Sequence, residues 1–172
     1  VDVEYGFFPW KRSRLVAAKG AWDGTLPWGY QKERIEYFYH SEIVTKQEYF
    51  FFHLKNFKFD WENYGNLNGL IIGASSGYHY KKAFQRAEKE GEIKVVRVGT
   101  ESQLIKLLLA GRIQLALIET KIAQDLMCSS FSPQETAQIT HHPKLQSEGG
   151  LHLLLSKKHK KNQGLIEKFN RG

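Results

Sequence analysis

Residues 70–118 read LIIGASSGYHYKKAFQRAEKEGEIKVVRVGTESQLIKLLLAGRIQLALI, and the fold is decided here. Leu70-Ile71-Ile72 is a short apolar run closed by Gly73, and helix formers from Tyr78 to Glu90 end at a Gly91 stop. Ile93 to Val98 is β-branched and alternating, Glu101 to Ala110 is helix-like with Gly111 as terminator, and Ile113 to Ile118 is again strand-like. Lys121 to Cys128 reads as a further helix. Strands alternating with helices of about ten residues imply right-handed βαβ units on a largely parallel sheet, hence an α/β fold.

The chain before this stretch has a different texture. Trp10 to Lys19 is helix-like between Pro9 and Gly20, a short segment around Trp22 to Leu26 follows, and aromatic-rich strand candidates occupy Ile35 to Tyr39 and Tyr49 to Leu54. Between Asn56 and Asn68 the periodicity fades into Asn, Gly, Asp and Trp, which marks a crossing from one unit to the next. Gly149-Gly150 opens the apolar run Leu151 to Leu155, and a helix over Gln163 to Asn170 returns the chain to the first unit. The predicted units are therefore residues 1–54 with 150–172, and residues 55–149, with a cleft between two lobes.

With 172 residues and 41% hydrophobic content the chain has enough apolar material for a packed core. Its longest apolar runs fall far short of the roughly 20 residues of a spanning helix, and no secretory leader is visible in the sequence. The single Cys128 has no partner for an internal disulfide or a thiol-rich zinc site. The net charge of +7 includes one dense run, Lys157-Lys158-His159-Lys160-Lys161, between a strand-like and a helix-like segment. A solvated turn is the expectation there, since no nucleic-acid motif accompanies it.

Gly73-Ala74-Ser75-Ser76-Gly77 sits where a strand gives way to a helix, so backbone N–H groups and the hydroxyls of Ser75 and Ser76 suit a carboxylate; a plain serine cap in a tight turn is the alternative. No Lys follows the second Gly, which excludes a Walker loop. Arg34 precedes an aromatic strand and has the planar fork that binds a carboxylate through two parallel bonds, with a surface pair to Glu33 or Glu36 as its competitor. Trp10, Trp28 and Tyr30 offer flat walls to a pocket or else core packing. Glu119, ending a strand, suits a ligand ammonium or a helix cap. There is no Gly-x-Ser-x-Gly elbow and no His-Glu-x-x-His, and His141-His142 lack further ligands at metal spacing. No catalytic residue, metal site or cofactor is therefore expected.

The order Pro9-Trp10, Gly20-Ala21-Trp22-Asp23-Gly24, Glu33-Arg34, Phe38-Tyr39-His40-Ser41, Leu67-Asn68-Gly69, Gly73-Ala74-Ser75-Ser76, Leu108 to Ile113 and Gly149 to Leu155 resembles the amino-acid-type (type II) periplasmic solute-binding proteins of ABC transporters. The resemblance covers nearly the whole chain. It implies two α/β lobes that close on a small ligand by a hinge motion. By position it implies Arg34 as the grip on the ligand carboxylate, shared with Ala74, Ser75 and Ser76, and Trp10 as an apolar wall. Leu26, Pro27, Trp28 and Gly29 stand where the family presents small hydroxyl residues to the ligand, and Glu119 stands where the family places an Asp for the ligand ammonium.

The family begins with a strand, loop and helix ahead of the Pro9-Trp10 region and continues past residue 172, so the resemblance implies a chain trimmed at both ends. An incomplete first lobe with an exposed edge, prone to self-association, is expected. It further implies extracytoplasmic, periplasmic binding of an amino acid or related carboxylate for delivery to the membrane subunits of an ABC transporter, with no nucleic-acid partner and no enzymatic activity. A ligand-sensing domain of a receptor or regulator is the alternative.

Overall fold

The computed structural model describes residues 2–78 and 80–172. In chain order the elements are α1 (Trp10–Ala18), β1 (Gly24–Gly29), a 3-10 turn (Lys32–Glu36), β2 (Phe38–Leu54), a second 3-10 turn (Tyr64–Leu67) and β3 (Ile71–Ser75). There follow α2 (Lys82–Lys89), β4 (Lys94–Val98), α3 (Glu101–Leu109), β5 (Leu115–Glu119), α4 (Thr120–Ser130), α5 (Pro133–Thr136), β6 (Ile139–His141), β7 (Ser147–Ser156) and α6 (Lys161–Arg171). Two compact units emerge, Val1–Lys46 with Gly149–Gly172, and Gln47–Glu148.

The second unit is organised around β3. It pairs in parallel with β4 from Ile71↔Lys94 to Ser75↔Val98, and in parallel with β5 at Ile72↔Leu115 and Gly73↔Ala116. The far edge of β5 takes the second half of β2 antiparallel, from Tyr49↔Glu119 to Phe52↔Ala116, and β6 pairs antiparallel with the end of β2. All five residues of β5 are buried, as expected of a strand covered on both faces.

The two-residue period of the strands sorts these side chains into two cores. On one face Phe51, Ile72, Ala74, Leu115 and Leu117 meet Phe84 and Ala87 of α2, joined by Trp61 and Leu67. On the other, Phe52, Ala116 and Ile118 meet Leu104, Ile105 and Leu108 of α3 and Ala123 of α4. Helix α3 opens on a Thr100/Gln103 capping box and stops at Gly111, whose φ of +65° is one that glycine adopts without strain. At Gly73 a Cβ would fall 2.5 Å from Ile113 Cδ1 and 2.7 Å from Leu104 Cδ2, so α3 lies against bare strand backbone there.

The first unit contains β1, β7 and the first half of β2, with α1 and α6. Strands β1 and β7 pair antiparallel from Gly24↔Leu155 to Gly29↔Leu151, with a register irregularity between Thr25 and Trp28. Its core is small: Ala17, Phe38 and Leu154, with Ala18 and Trp28 packed against them. The fully buried Asn162 fastens α6, its Nδ2 donating to Asp23 O and Ser156 O, both at 2.9 Å. Tyr30, His40 and His152 gather their rings with centroids 5.4 to 6.3 Å apart, and His152 Nδ1 lies 2.7 Å from Ser41 O.

Two sequence expectations change, at the strand candidates and at the start of α2. The strand candidates at 35–39 and 49–54 are not two strands: residues 35–36 end a 3-10 turn, Lys32–Glu36, and residues 38–39 and 49–54 belong to one 17-residue strand, Phe38–Leu54. The boundary between the compact units falls inside that strand, after Lys46, and within residues 56–68 Trp61 and Leu67 are core of the second unit. The helix expected from Tyr78 begins at Lys82, because the Tyr80 hydroxyl is drawn back to accept from Ser75 N at 2.9 Å.

Leu104 is fully buried against β3, so Leu104→Ala should lower stability by about 2 to 5 kcal/mol in urea denaturation; a loss below about 1 kcal/mol would contradict this packing. The His40 imidazole is pushed below its usual value, first by burial and then by the charges of His152, Arg34 and Lys157, with a hydrogen bond to the Phe38 backbone opposing them. A depressed native value means the unfolded chain holds this proton more readily. His40's contribution to stability is therefore complete above the unfolded value near 6.5 and is lost as pH falls through it toward the lower native one. Denaturation between about pH 7 and pH 5 should show a smaller loss for His40→Gln than for the unaltered chain, and equal slopes would refute the linkage.

Candidate functional site

In the first unit the sequence-predicted residues Trp10, Trp28, Gly29 and Arg34 come together. Arg34 sits in the 3-10 turn after β1 and swings back onto that strand. Its Nη1 donates to the Gly29 carbonyl at 2.6 Å, and its guanidinium carbon lies 4.7 Å from the Trp28 ring centroid. Trp28 is held in turn: its Nε1 donates to Thr25 Oγ1 at 3.0 Å, Ser13 of α1 shares that hydroxyl at 2.6 Å, and Trp10 meets the indole edge-on at 5.1 Å. Trp10 and Tyr30 are both 58% exposed, an apolar surface open to a solute.

No ion pair joins Arg34 to Glu33 or Glu36 among the described residues. Its pKa is lowered by partial burial first and by the nearby Arg14 charge next, with Glu33 opposing. The group stays cationic at neutral pH. A half-buried guanidinium fixed through one nitrogen and stacked on an indole presents its remaining N–H groups to an anion. Beside it, His40 Nε2 is buried without a hydrogen-bond partner. Sequence reasoning passed over His40 and His152; the only signal was two histidines placed in apolar strand segments.

In the second unit the segment 74–77 is more fully committed than expected. Ala74 is core, the Ser75 N–H is taken by Tyr80, and the Ser75 hydroxyl donates to Glu101 Oε1 at 3.1 Å. Ser76 N donates to Val98 O at 2.7 Å. Of the three residues at this strand end, Ser76 alone is exposed, in a turn completed by Gly77 at φ +78°. Arg97 clamps the turn from β4: Nη1 donates to Ser75 O at 3.0 Å, Nε donates to Glu88 Oε1 at 2.9 Å, and Nη2 donates to Glu88 Oε2. That bidentate pair raises the Arg97 pKa, and the guanidinium stacks 5.1 Å from the Tyr80 ring. Its sequence signal was a cation set among the β-branched residues Val95, Val96 and Val98.

An open recess of about 560 Å³ lies beside this turn, lined by Ser76, Gly77, Tyr78, Gln85, Glu88, Lys89 and Arg97. The Tyr78 phenol is pushed well above its usual value, chiefly by burial and then by hydrogen bonding to the Glu101 carboxylate, so it remains a neutral donor. Glu119 is 5% exposed and caps α4, its Oε2 accepting from Ile122 N at 3.0 Å. Tyr49 is its partner in register on β2. The described residues hold no group of three or more His, Cys, Asp or Glu able to bind a metal ion.

No protein-family model matches the chain, and no curated protein sequence matches it. Solved structures do. The P235GK mutant of ArgBP from T. maritima superposes with a TM-score of 0.70 at 14% identity, over 99% of this chain and 71% of that one. Substrate-binding domain 2 of GlnP from Lactococcus lactis, in its open conformation, gives 0.68 at 15% identity, over 98% and 69%. A histidine kinase sensor domain described as similar to periplasmic binding proteins gives 0.66 at 12% identity, over 94% and 67%. With its βαβ unit around β3 and these superpositions, the chain has the fold of the amino-acid-type (type II) periplasmic solute-binding proteins.

Proposed function

We propose that this chain binds a small polar solute, an amino acid or related carboxylate, outside the cytoplasm, for delivery to the membrane subunits of an ABC transporter, without chemical conversion. The observation that carries this reading is Arg34: a guanidinium tethered to Gly29 O, stacked on Trp28, and paired with no carboxylate among the described residues. Fold similarity to ArgBP and to the GlnP substrate-binding domain supports a solute of this class. In this reading Arg34 takes the carboxylate against the walls of Trp10 and Trp28. In the second unit, Ser76 and the buried Glu119 serve the solute's polar and cationic groups, while Ala74 and Ser75 shape the turn that presents Ser76. The histidine kinase sensor domain of the same fold supports a second reading, a ligand-sensing domain of a receptor or regulator. The full-length gene context separates the two, since the sensing domain would need a DNA-binding or membrane-spanning segment outside these 172 residues.

A thermal-shift screen of amino acids, small carboxylates and amines tests the proposal, because a ligand at about a hundred times its Kd stabilises the folded state by about 2.7 kcal/mol. With a hit in hand, Arg34→Ala should weaken binding by about 2 to 5 kcal/mol in calorimetry, the loss expected when a charged partner is left unpaired. Near-unaltered affinity in a folded Arg34→Ala protein would dismiss Arg34 as the anchor. Glu119→Gln should weaken amine-bearing ligands and spare amine-free carboxylates. Equal weakening of both would reduce Glu119 to its helix cap, and turnover of the bound ligand would overturn the binding-only reading.

A further inference from the structure

The net charge is unevenly divided. The first unit carries 13 Lys and Arg against 7 Asp and Glu, net +6, whereas the second carries 12 against 11, net +1. Within the first unit, residues 5–22 and 149–166 contain no acidic side chain at all. These two segments meet. His159 Nε2 lies 2.9 Å from Gly20 O, and a Cβ on Gly20 would stand 2.8 Å from Lys158 Cβ, so the end of α1 abuts the Lys157–Lys161 turn. The one acid close by, Asp23, is already paired with Lys161 at 3.0 Å.

The helix adds to this surface. Its inner side is fixed by Ala17 in the core and Ser13 on Thr25, which leaves Lys11, Arg12, Leu15 and the following Lys19 exposed at helical spacing. Arg12 lies over the Phe8 ring at 5.3 Å, and Phe8 packs edge-on against Trp22 at 5.5 Å, next to Asp23. That contact seats the preceding segment beside the same patch and leaves Phe7 95% exposed. Exposed cations are thus interleaved with apolar groups that nothing in the unit covers, Phe7 and Leu15.

We propose that this face of the first unit docks on an anionic lipid surface. A bilayer fits both halves of the pattern: headgroup phosphates attract the cations, and the interfacial zone accepts the apolar groups between them. A purely polar polyanion would use the lysines and leave Phe7 in water. No helix of the described residues is long and apolar enough to cross a membrane, and the proposed contact is made by surface side chains. It rests on Lys158, Lys160, Lys11, Lys19 and Phe7, none of which is assigned to solute binding.

Co-sedimentation of the whole chain with phosphatidylcholine vesicles, with and without phosphatidylglycerol, tests it. Binding is expected only to the anionic vesicles and should fade as salt is raised. The double variant Lys158→Glu/Lys160→Glu should reduce partitioning by about tenfold or more, and Phe7→Ser should reduce it further while leaving the salt dependence intact. A control with the same charge change on the second unit, Lys94→Glu/Lys106→Glu at two exposed positions, should bind as the unaltered chain does, with all variants first shown to be folded by circular dichroism. Absence of binding to anionic vesicles, an equal loss in the control, or tighter binding to a DNA duplex or to polyglutamate than to the vesicles overturns the proposal.

Discussion

The double pairing of β3 is the constraint on which the second unit depends. A strand with parallel neighbours on both edges, β4 and β5, can be reached only through crossover connections, and these become α2 and α3 on opposite faces of the sheet. Once α2 and α3 take opposite faces, the alternation of β5 follows, with Leu115 and Leu117 to one core and Ala116 and Ile118 to the other. The end of β3 is then the point where backbone pairing stops and side chains must satisfy the chain. Arg97 and Tyr80 do so by binding Ser75 O and Ser75 N.

Much of this architecture is legible in the amino-acid order. The strand–helix alternation from Leu70 to Ile118 survives because each helix ends at a glycine, Gly91 or Gly111, that takes a positive φ, and each strand is short and apolar. Helix α1 is legible for similar reasons, with Pro9 before it and Gly20 at φ +80° after it. Strand β2 is less so, since its middle, His40 to Glu48, is polar and charged. The useful signal there was an absence: no Gly, Pro or Asn interrupts Phe38 to Leu54. The start of α2 and the core role of residues 56–68 were hidden because both depend on tertiary contacts, Tyr80 with Ser75 and Trp61 with Phe51.

The site was legible by type more than by setting. A lone Arg next to an aromatic strand suggested anion binding, but its geometry depends on Gly29 five residues earlier and on an indole fixed by α1. Glu119 was legible as a strand-end carboxylate, and the structure gives it the cap of α4 through Ile122 N. The strand-end serines illustrate the converse. Sequence placed three residues at a helix start, whereas the polar groups of Ser75 are satisfied internally and Ser76 is left at the surface.

If Arg34 grips a solute carboxylate as proposed, its bond to the Gly29 carbonyl has a consequence for how recognition evolves at this position. A free arginine surrenders up to about 2 kcal/mol of rotamer freedom when it closes on a partner. Here much of that ordering occurs during folding, through a backbone carbonyl that every amino acid at position 29 would supply. In that proposed role the surrounding aromatic residues could drift, and the preferred solute with them, while the cationic fork keeps its aim. A lysine in the same place would have neither the second nitrogen to share between carbonyl and solute nor the flat face to rest on Trp28.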